Sequence, residues 1–180
     1  MQDEQGLVAE AQQHNEGAFA QLYERYFEKI YRYILLKIGD QFEAEDMTQQ
    51  VFLKALKSIG TFKWKNVPFS AWLYRIAHNQ TVDYLRRKSR HPTGTLEEAE
   101  AYIVEPGGGP QEMAEFHFDL ERLTAATKRL TPAQRNVIAL RFASELSIAE
   151  VSHVMGKSEG AIKALQHSAV LALRRIMKAE

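Results

Sequence analysis

Between Phe69 and Arg90 the chain reads FSAWLYRIAHNQTVDYLRRKSR, a run whose residue types suit contact with nucleic acid. Wound as a helix, Phe69, Trp72, Leu73, Ile76 and Ala77 recur at the i, i+3, i+4 spacing of a buried stripe, and Arg75, Asn79, Arg86 and Arg90 fall on another side. Arg86, Arg87, Lys88 and Arg90 put four cations within five residues; taken alone, such a run equally suits a solvated helix end against the C-terminal dipole. Just upstream, in GTFKWKNVPF, Phe62 and Trp64 alternate with Lys63 and Lys65. Rings stack on unstacked bases and lysines meet phosphates, so the loop suits a single strand; capping of a helical core by Phe62 and Trp64 is an equal alternative for each ring.

A second nucleic-acid signal lies far downstream, in LSIAEVSHVMGKSEGAIKALQHSAVLALRRIM, residues 146–177. Ser147 with Glu150 three residues on is a capping box, and Ile148, Val151 and Val154 supply the inner face of the helix it opens. Gly156 ends that helix and Ser158 caps the next, whose apolar stripe is Ile162, Leu165, Ala169, Leu173 and Ile176. Glu159, Lys163, His167 and Arg174 are left outside. This is the pattern of a helix-turn-helix, in which the start of the second helix reaches base edges in the major groove; a plain helical hairpin has the same pattern.

The elements that carry these residues are all expected to be helical. Phe19, Leu22, Tyr23, Tyr26, Ile30, Tyr33 and Ile34 keep helical spacing across 17–37, and Gly39-Asp40 is a stop. The next helix starts acidic with Glu43, Glu45 and Asp46; Ala44, Met47, Val51, Ala55, Leu56 and Ile59 form its buried side, with Asp46, Gln49 and Gln50 facing out. In the C-terminal half Leu120, Leu123 and Leu130 mark one helix, and Thr131-Pro132-Ala133-Gln134 is a capping box opening another through Phe142. No run alternates at the strand period of two. The fold class is therefore all-α, with two small helical domains joined by a flexible acidic linker, the C-terminal domain containing the helix-turn-helix.

The domains follow from the charge. The formal net charge is zero over 180 residues, yet residues 1–90 hold 13 Lys and Arg against 11 Asp and Glu, residues 91–121 hold none against 8, and residues 122–180 hold 10 against 4. Segment 91–118, with Pro92, Pro106, Pro110 and glycines 107–109, reads as the linker between domains at 1–90 and 119–180. Without cysteine there is no disulfide or thiolate nucleophile. The histidines at 14, 78, 91, 117, 153 and 167 lack the HExxH spacing of a metal site, and glycines 107–109 lack the lysine and helix of a phosphate loop. No enzyme activity, cofactor or metal is expected. No apolar segment is long enough to insert in a membrane and the start resembles no signal peptide, so the expected location is the cytoplasm.

Three motifs together resemble the extracytoplasmic-function type of bacterial sigma factor, a group of the sigma-70 family: AEDMTQQVFLKAL at 44–56, FSAWLYRIAHNQTVDYLRR at 69–87, and LTPAQRNVIALRF followed by LSIAEVSHVMGKSEGAIK. The resemblance implies a region 2 domain that binds core RNA polymerase at the clamp helices of its largest subunit and captures melted minus-10 bases. It also implies a region 4 domain that reads the minus-35 duplex of promoter DNA and touches the flap of the other large subunit. Carried over by position, it assigns core binding to Asp46, Gln49, Gln50 and Phe52. Minus-10 contact falls to Phe62, Lys63, Trp64, Lys65, Asn66, Arg75, Asn79, Arg86 and Arg87, and minus-35 contact to Ser158, Glu159, Lys163, Ala164, His167 and Arg174. Leu165, Ser168 and Val170 stand where the family often has arginine, leaving phosphate anchoring to Lys163, Arg174, Arg175 and Lys178. With the chain ending at Glu180, no fused third domain is expected and control falls to a separate anti-sigma factor. Two rivals come from other classes: a sigma mimic that binds an anti-sigma factor without reading DNA, and a helix-turn-helix repressor with an effector-binding first domain.

Overall fold

The computed structural model describes residues 3–65, 67–90 and 126–179. The expected linker at 91–118, together with Leu120, Leu123 and Asn66, lies outside them. Among the described residues every regular element is a helix or helical turn.

The first unit holds α1 (Glu4–Gln12), α2 (Glu16–Ile38), α3 (Gln41–Ser58) with a 3-10 turn at Ile59–Thr61, and α4 (Phe69–Arg90). Local chemistry marks most boundaries. Asn15 Oδ1 accepts the Ala18 N–H at 3.2 Å to open α2. Gly39 closes it at φ 72°, its N–H returning to the Leu35 carbonyl at 2.8 Å. An added Cβ on Gly39 meets no atom within 4 Å, so the left-handed backbone and not crowding is what asks for glycine there. Asp40 then caps α3 through the Glu43 N–H at 3.0 Å.

Helix α1 was not expected from the sequence. It buries Leu7, Val8 and Ala11 against α2, and Gln12 at its end donates from Nε2 to the carbonyls of Ile59 (3.0 Å) and Phe62 (2.8 Å). The α3 stripe needs one correction: Leu56, expected inside, stands 49% exposed. At 100° per residue Leu56 lies about 135° from the middle of the side that Ala44, Met47, Val51 and Ala55 bury, next to Leu53, while the 3-10 turn after Ser58 brings Phe62 into the core beside the expected Ile59. Tyr23, expected in the α2 stripe, lies at its edge and packs on Phe52 and Phe27.

In the second unit, residues 126–128 are helical, followed by α5 (Pro132–Ile138), α6 (Ile148–Met155) and α7 (Glu159–Lys178). Both expected capping boxes form, Thr131 with Gln134 and Ser147 with Glu150. Gly156 ends α6 at φ 63° and Ser158 caps α7 through the Ala161 N–H at 3.2 Å. The helix expected through Phe142 instead leaves α geometry after Ile138 and widens into a π turn over Ala139–Ala143, closed by Ser144 N–H to the Ala139 carbonyl at 3.0 Å.

Buried side chains from both units join in one continuous cluster, which leaves out Ala126 and Leu130. Helix α4 lies against α6 and the end of α2 lies against the π turn. As a result α4 is buried along two faces: Phe69, Leu73 and Ile76 as expected, and in addition Tyr74 and Thr81.

Candidate polymerase and nucleic-acid interfaces

Three surfaces carry the residues singled out in the sequence. On α3, Asp46, Gln49 and Gln50 are exposed as expected, and Gln50 Nε2 donates to Asp46 Oδ2 at 2.6 Å. The sequence reading missed their neighbours. Phe42 (85% exposed), Leu53 (57%) and Leu56 (49%) project beside them, and at 100° per residue positions 42, 46, 49, 53 and 56 fall within about 80° of one another. This is an apolar stripe with a polar rim, turned to solvent; the seven-residue recurrence 42–49–56 was the available signal. Phe52 departs from its assignment: its ring is buried edge-on against Tyr23 at 4.7 Å, so it supports the surface from beneath.

The second surface is the loop at 62–68 with the outer side of α4. Phe62 is core, 5% exposed, and sits 5.1, 5.7 and 5.3 Å from the rings of Trp64, Phe69 and Trp72. Of the two readings for the ring, packing wins because Gln12 ties the Phe62 carbonyl to the first helix and Phe69 closes over it. Trp64, 37% exposed, is the ring left facing outward, between the exposed Lys63 and Lys65. Arg75, Asn79, Arg86 and Arg87 are all exposed along α4. Arg86 pairs with Asp83 at 3.2 Å with both side chains more than half exposed, a contact weak enough to exchange for phosphate.

The third surface is α7. Ser158, Glu159, Lys163, Ala164, His167 and Arg174 are exposed as expected, and Ile162 and Ala169 hold the helix in the core. A shallow depression is lined by Arg141, Ile148, Lys163, Gln166, His167 and Val170. Arg141 and Gln166 were not foreseen. The π turn swings Arg141 so that Nε donates to Gln166 Oε1 at 3.0 Å and a terminal nitrogen donates to the Leu146 carbonyl, which holds a guanidinium in the same depression as Lys163 and His167. Ser168, one of the positions without arginine, accepts from Gln134 Nε2 at 2.8 Å and so tethers α7 to α5.

A titratable group of another kind lies between the units. Lys37 is 6% exposed and donates from Nζ to Tyr33 Oη at 3.2 Å. Tyr33 Oη is 3.1 Å from His78 Nδ1. Burial, with the Arg135 charge adding to it, holds the Lys37 ammonium down to about 7; burial and then Lys37 press His78 down to about 4. With Lys37 donating to the hydroxyl, Tyr33 is left to donate to Nδ1, which fits a neutral imidazole with its proton on Nε2. Among the described residues no helix is long and apolar enough to cross a membrane, and no three His, Asp or Glu side chains gather where a metal ion could be held.

Comparison with known proteins matches the Sigma-70 region 2 family to residues 22–91 and the Sigma-70, region 4 family to residues 126–175. The ECF RNA polymerase sigma factor BldN of Streptomyces coelicolor is 40% identical over 172 residues, which are 95% of this chain but 64% of BldN, so the chain spans just under two thirds of that relative's length. The ECF RNA polymerase sigma factor SigW of Bacillus subtilis is 31% identical over 181 residues, 95% of each protein. The fold is shared with the sigma factor RpoE solved with the anti-sigma factor NepR from Bartonella quintana (TM-score 0.74, 23% identity, 90% of this chain and 98% of that one). It is shared also with CnrH solved with the cytosolic domain of CnrY (TM-score 0.73, 24% identity, 97% and 96%). With region 2 helices, a region 4 helix-turn-helix and relatives similar along nearly its whole length, the chain belongs to the extracytoplasmic-function RNA polymerase sigma factors.

Proposed function

We propose that this sigma factor binds core RNA polymerase through the outward face of α3, captures melted minus-10 bases with the 62–68 loop and the basic side of α4, and reads minus-35 duplex with α7. The observation that carries the reading is the α3 stripe: Phe42, Leu53 and Leu56 spend apolar area on solvent around Asp46 and Gln49, which a protein working alone has no reason to do. Trp64 supplies the outward ring for base stacking, flanked by Lys63 and Lys65; Phe62 shapes the loop from inside. On α7, Lys163 donates to guanine O6 or N7, Ala164 offers a methyl contact, and His167 and Gln166 stand within the same groove-facing patch. The protein supplies recognition and leaves catalysis to the polymerase, so it works where the polymerase is, in the cytoplasm. A separate anti-sigma factor belongs to the proposal, since RpoE, whose fold it shares, is seen with one.

The test is reconstitution with bacterial core RNA polymerase on a genomic promoter library. Discrete starts sharing two spaced motifs support the reading. Binding to an anti-sigma factor with no polymerase binding and no starts would establish the mimic, and a ligand-dependent thermal shift without polymerase affinity would establish the repressor.

A further inference from the structure

The residues assigned to strand capture all lie from Phe62 onward, yet the start of that loop is held by a helix to which the motifs assign nothing. Gln12, the last residue of α1, donates from Nε2 to the Ile59 carbonyl at 3.0 Å and to the Phe62 carbonyl at 2.8 Å. Both partners are acceptors, so the amide must present its NH2 end, and both of its N–H groups are engaged. The two carbonyls bracket the 3-10 turn at Ile59–Thr61, which the Phe62 N–H closes on the Ile59 carbonyl at 3.0 Å. One side chain thus pins the main chain immediately before Lys63, Trp64 and Lys65.

The root of this pin is itself fixed, because α1 is tied to α2 along its whole length. At its start Tyr26 Oη donates to Glu4, and Leu7, Val8 and Ala11 are buried behind it. At its end His14 takes the left-handed region at φ 65°. The N–H groups of His14 and Asn15 return to the carbonyls of Ala11 and Glu10 at 3.1 Å each, and Asn15 Nδ2 donates to Glu10 Oε2 at 2.9 Å. Left-handed backbone on a residue other than glycine persists only where its surroundings over-determine it, and these bonds do so. Gln12 therefore reaches the loop from a set corner.

What the pin decides is a direction. Across the trans peptide from Phe62 to Lys63 the C=O and the N–H point opposite ways. With the Phe62 carbonyl turned to α1, the Lys63 N–H is turned away from it, and among the described residues it meets no acceptor. The Phe62 ring is clamped by Trp64, Phe69 and Trp72, and the Lys65 N–H closes on the Lys63 carbonyl at 2.7 Å. A main-chain donor, an outward ring and two exposed lysines so stand on three consecutive residues, a set that suits strand oxygens with a base stacked beside them. We propose that Gln12 is a positioning residue for single-strand capture: it fixes the 62–63 peptide before DNA arrives, so that the Lys63 N–H and the Trp64 ring are presented together to a melted strand. This rests on the reading of the loop as the capture surface. The gain is preorganisation, since a loop already held in one arrangement loses less freedom on binding.

The test compares three variants of the full chain. Gln12→Met keeps the bulk without the donors, Gln12→Glu sets a carboxylate against two carbonyls, and Tyr26→Phe cuts the tie at the other end of α1 while keeping the ring beside Phe69. Holoenzyme reconstituted from each is titrated with a labelled random-sequence single-stranded DNA pool, with core alone as background, beside core affinity and urea unfolding. Q12M should weaken strand binding about tenfold, the scale of ordering one or two side chains. Q12E should weaken it further, and core affinity should hold in all three. Y26F should lose stability as Q12M does and keep strand binding. The free chain gives a second readout: with 5-fluorotryptophan at its two tryptophans, Trp64 and Trp72, the Trp64 fluorine line should broaden in Q12M and not in Y26F. Wild-type strand binding in Q12M overturns the proposal, and so does an equal loss in Q12M and Y26F, which would make Gln12 a staple of α1 alone. If Q12M loses helicity, Q12N, one methylene short of the carbonyls, carries the same comparison. Failure of wild-type holoenzyme to bind the pool counts against the capture reading; the tether is then judged by the fluorine lines, where equal Trp64 widths in wild type and Q12M overturn it.

Discussion

The exposed stripe of α3 allows a worked prediction. Replacing Leu53 and Leu56 together by alanine removes side chains that are 57% and 49% exposed in the free protein. Full burial of a leucine is favourable by roughly 2–3 kcal/mol, so covering the exposed half of each contributes about 1–1.5 kcal/mol, and the pair about 2–3 kcal/mol. At 1.4 kcal/mol per tenfold, the dissociation constant for core polymerase should rise by roughly 30- to 150-fold. Stability should fall by a similar or smaller amount, because only the buried half of each side chain is lost from the folded state. The assay is fluorescence anisotropy of labelled sigma titrated with core enzyme, beside thermal unfolding and single-stranded minus-10 DNA binding. The latter should be unchanged, since α3 and the basic side of α4 are separate surfaces. A change in core affinity under about threefold with the fold intact would refute the assignment of this stripe as the polymerase contact.

Three further outcomes follow. Phe62→Ala should cost about 3–5 kcal/mol in urea unfolding, because the ring is core; an unchanged midpoint with lost single-strand binding would return Phe62 to the base-stacking role. Trp64→Ala should instead weaken single-strand capture by about 1–3 kcal/mol with a much smaller stability change, read by DNA titration against unfolding curves. Lys163→Ala should lower minus-35 duplex affinity and reduce the slope of log K against log salt by about 0.9, and an unaltered slope would remove Lys163 from the phosphate and base contacts.

The helix starts of the second unit and the end of α6 were legible in the sequence because their causes are local, whereas the end of α5 at Ile138 was not. Thr131 with Gln134, Ser147 with Glu150, Gly156 and Ser158 each act over three or four residues, so residue type and spacing suffice. The exposure of the candidate residues on α3, α4 and α7 was legible for the same reason: amphipathic period separates a polar face from an apolar one. Helix α1 was not, since nine residues with three small or medium apolar side chains are below the length at which a helix stands alone. It exists because α2 covers it and Gln12 reaches Ile59 and Phe62, some fifty positions away. Leu56 was misplaced against the period itself, since 100° per residue sets it with Phe42 and Leu53 and not with Val51 and Ala55.

By itself, then, the sequence determined an all-helical chain with a helix-turn-helix, the order of its surfaces and the family whose motifs it carries. Tertiary structure alone decided that Phe62 is core while Trp64 faces out, that Arg141 holds Gln166 beside Lys163 and His167, and that Phe42, Leu53 and Leu56 stand uncovered. It alone decided that Tyr74 and Lys37 are enclosed between two units far apart in sequence. The physical reason is that a helical pattern tells which side of a helix is apolar or charged, whereas burial depends on what else arrives at that side, and for α4 the covering residue, Glu150, comes eighty positions after Ser70.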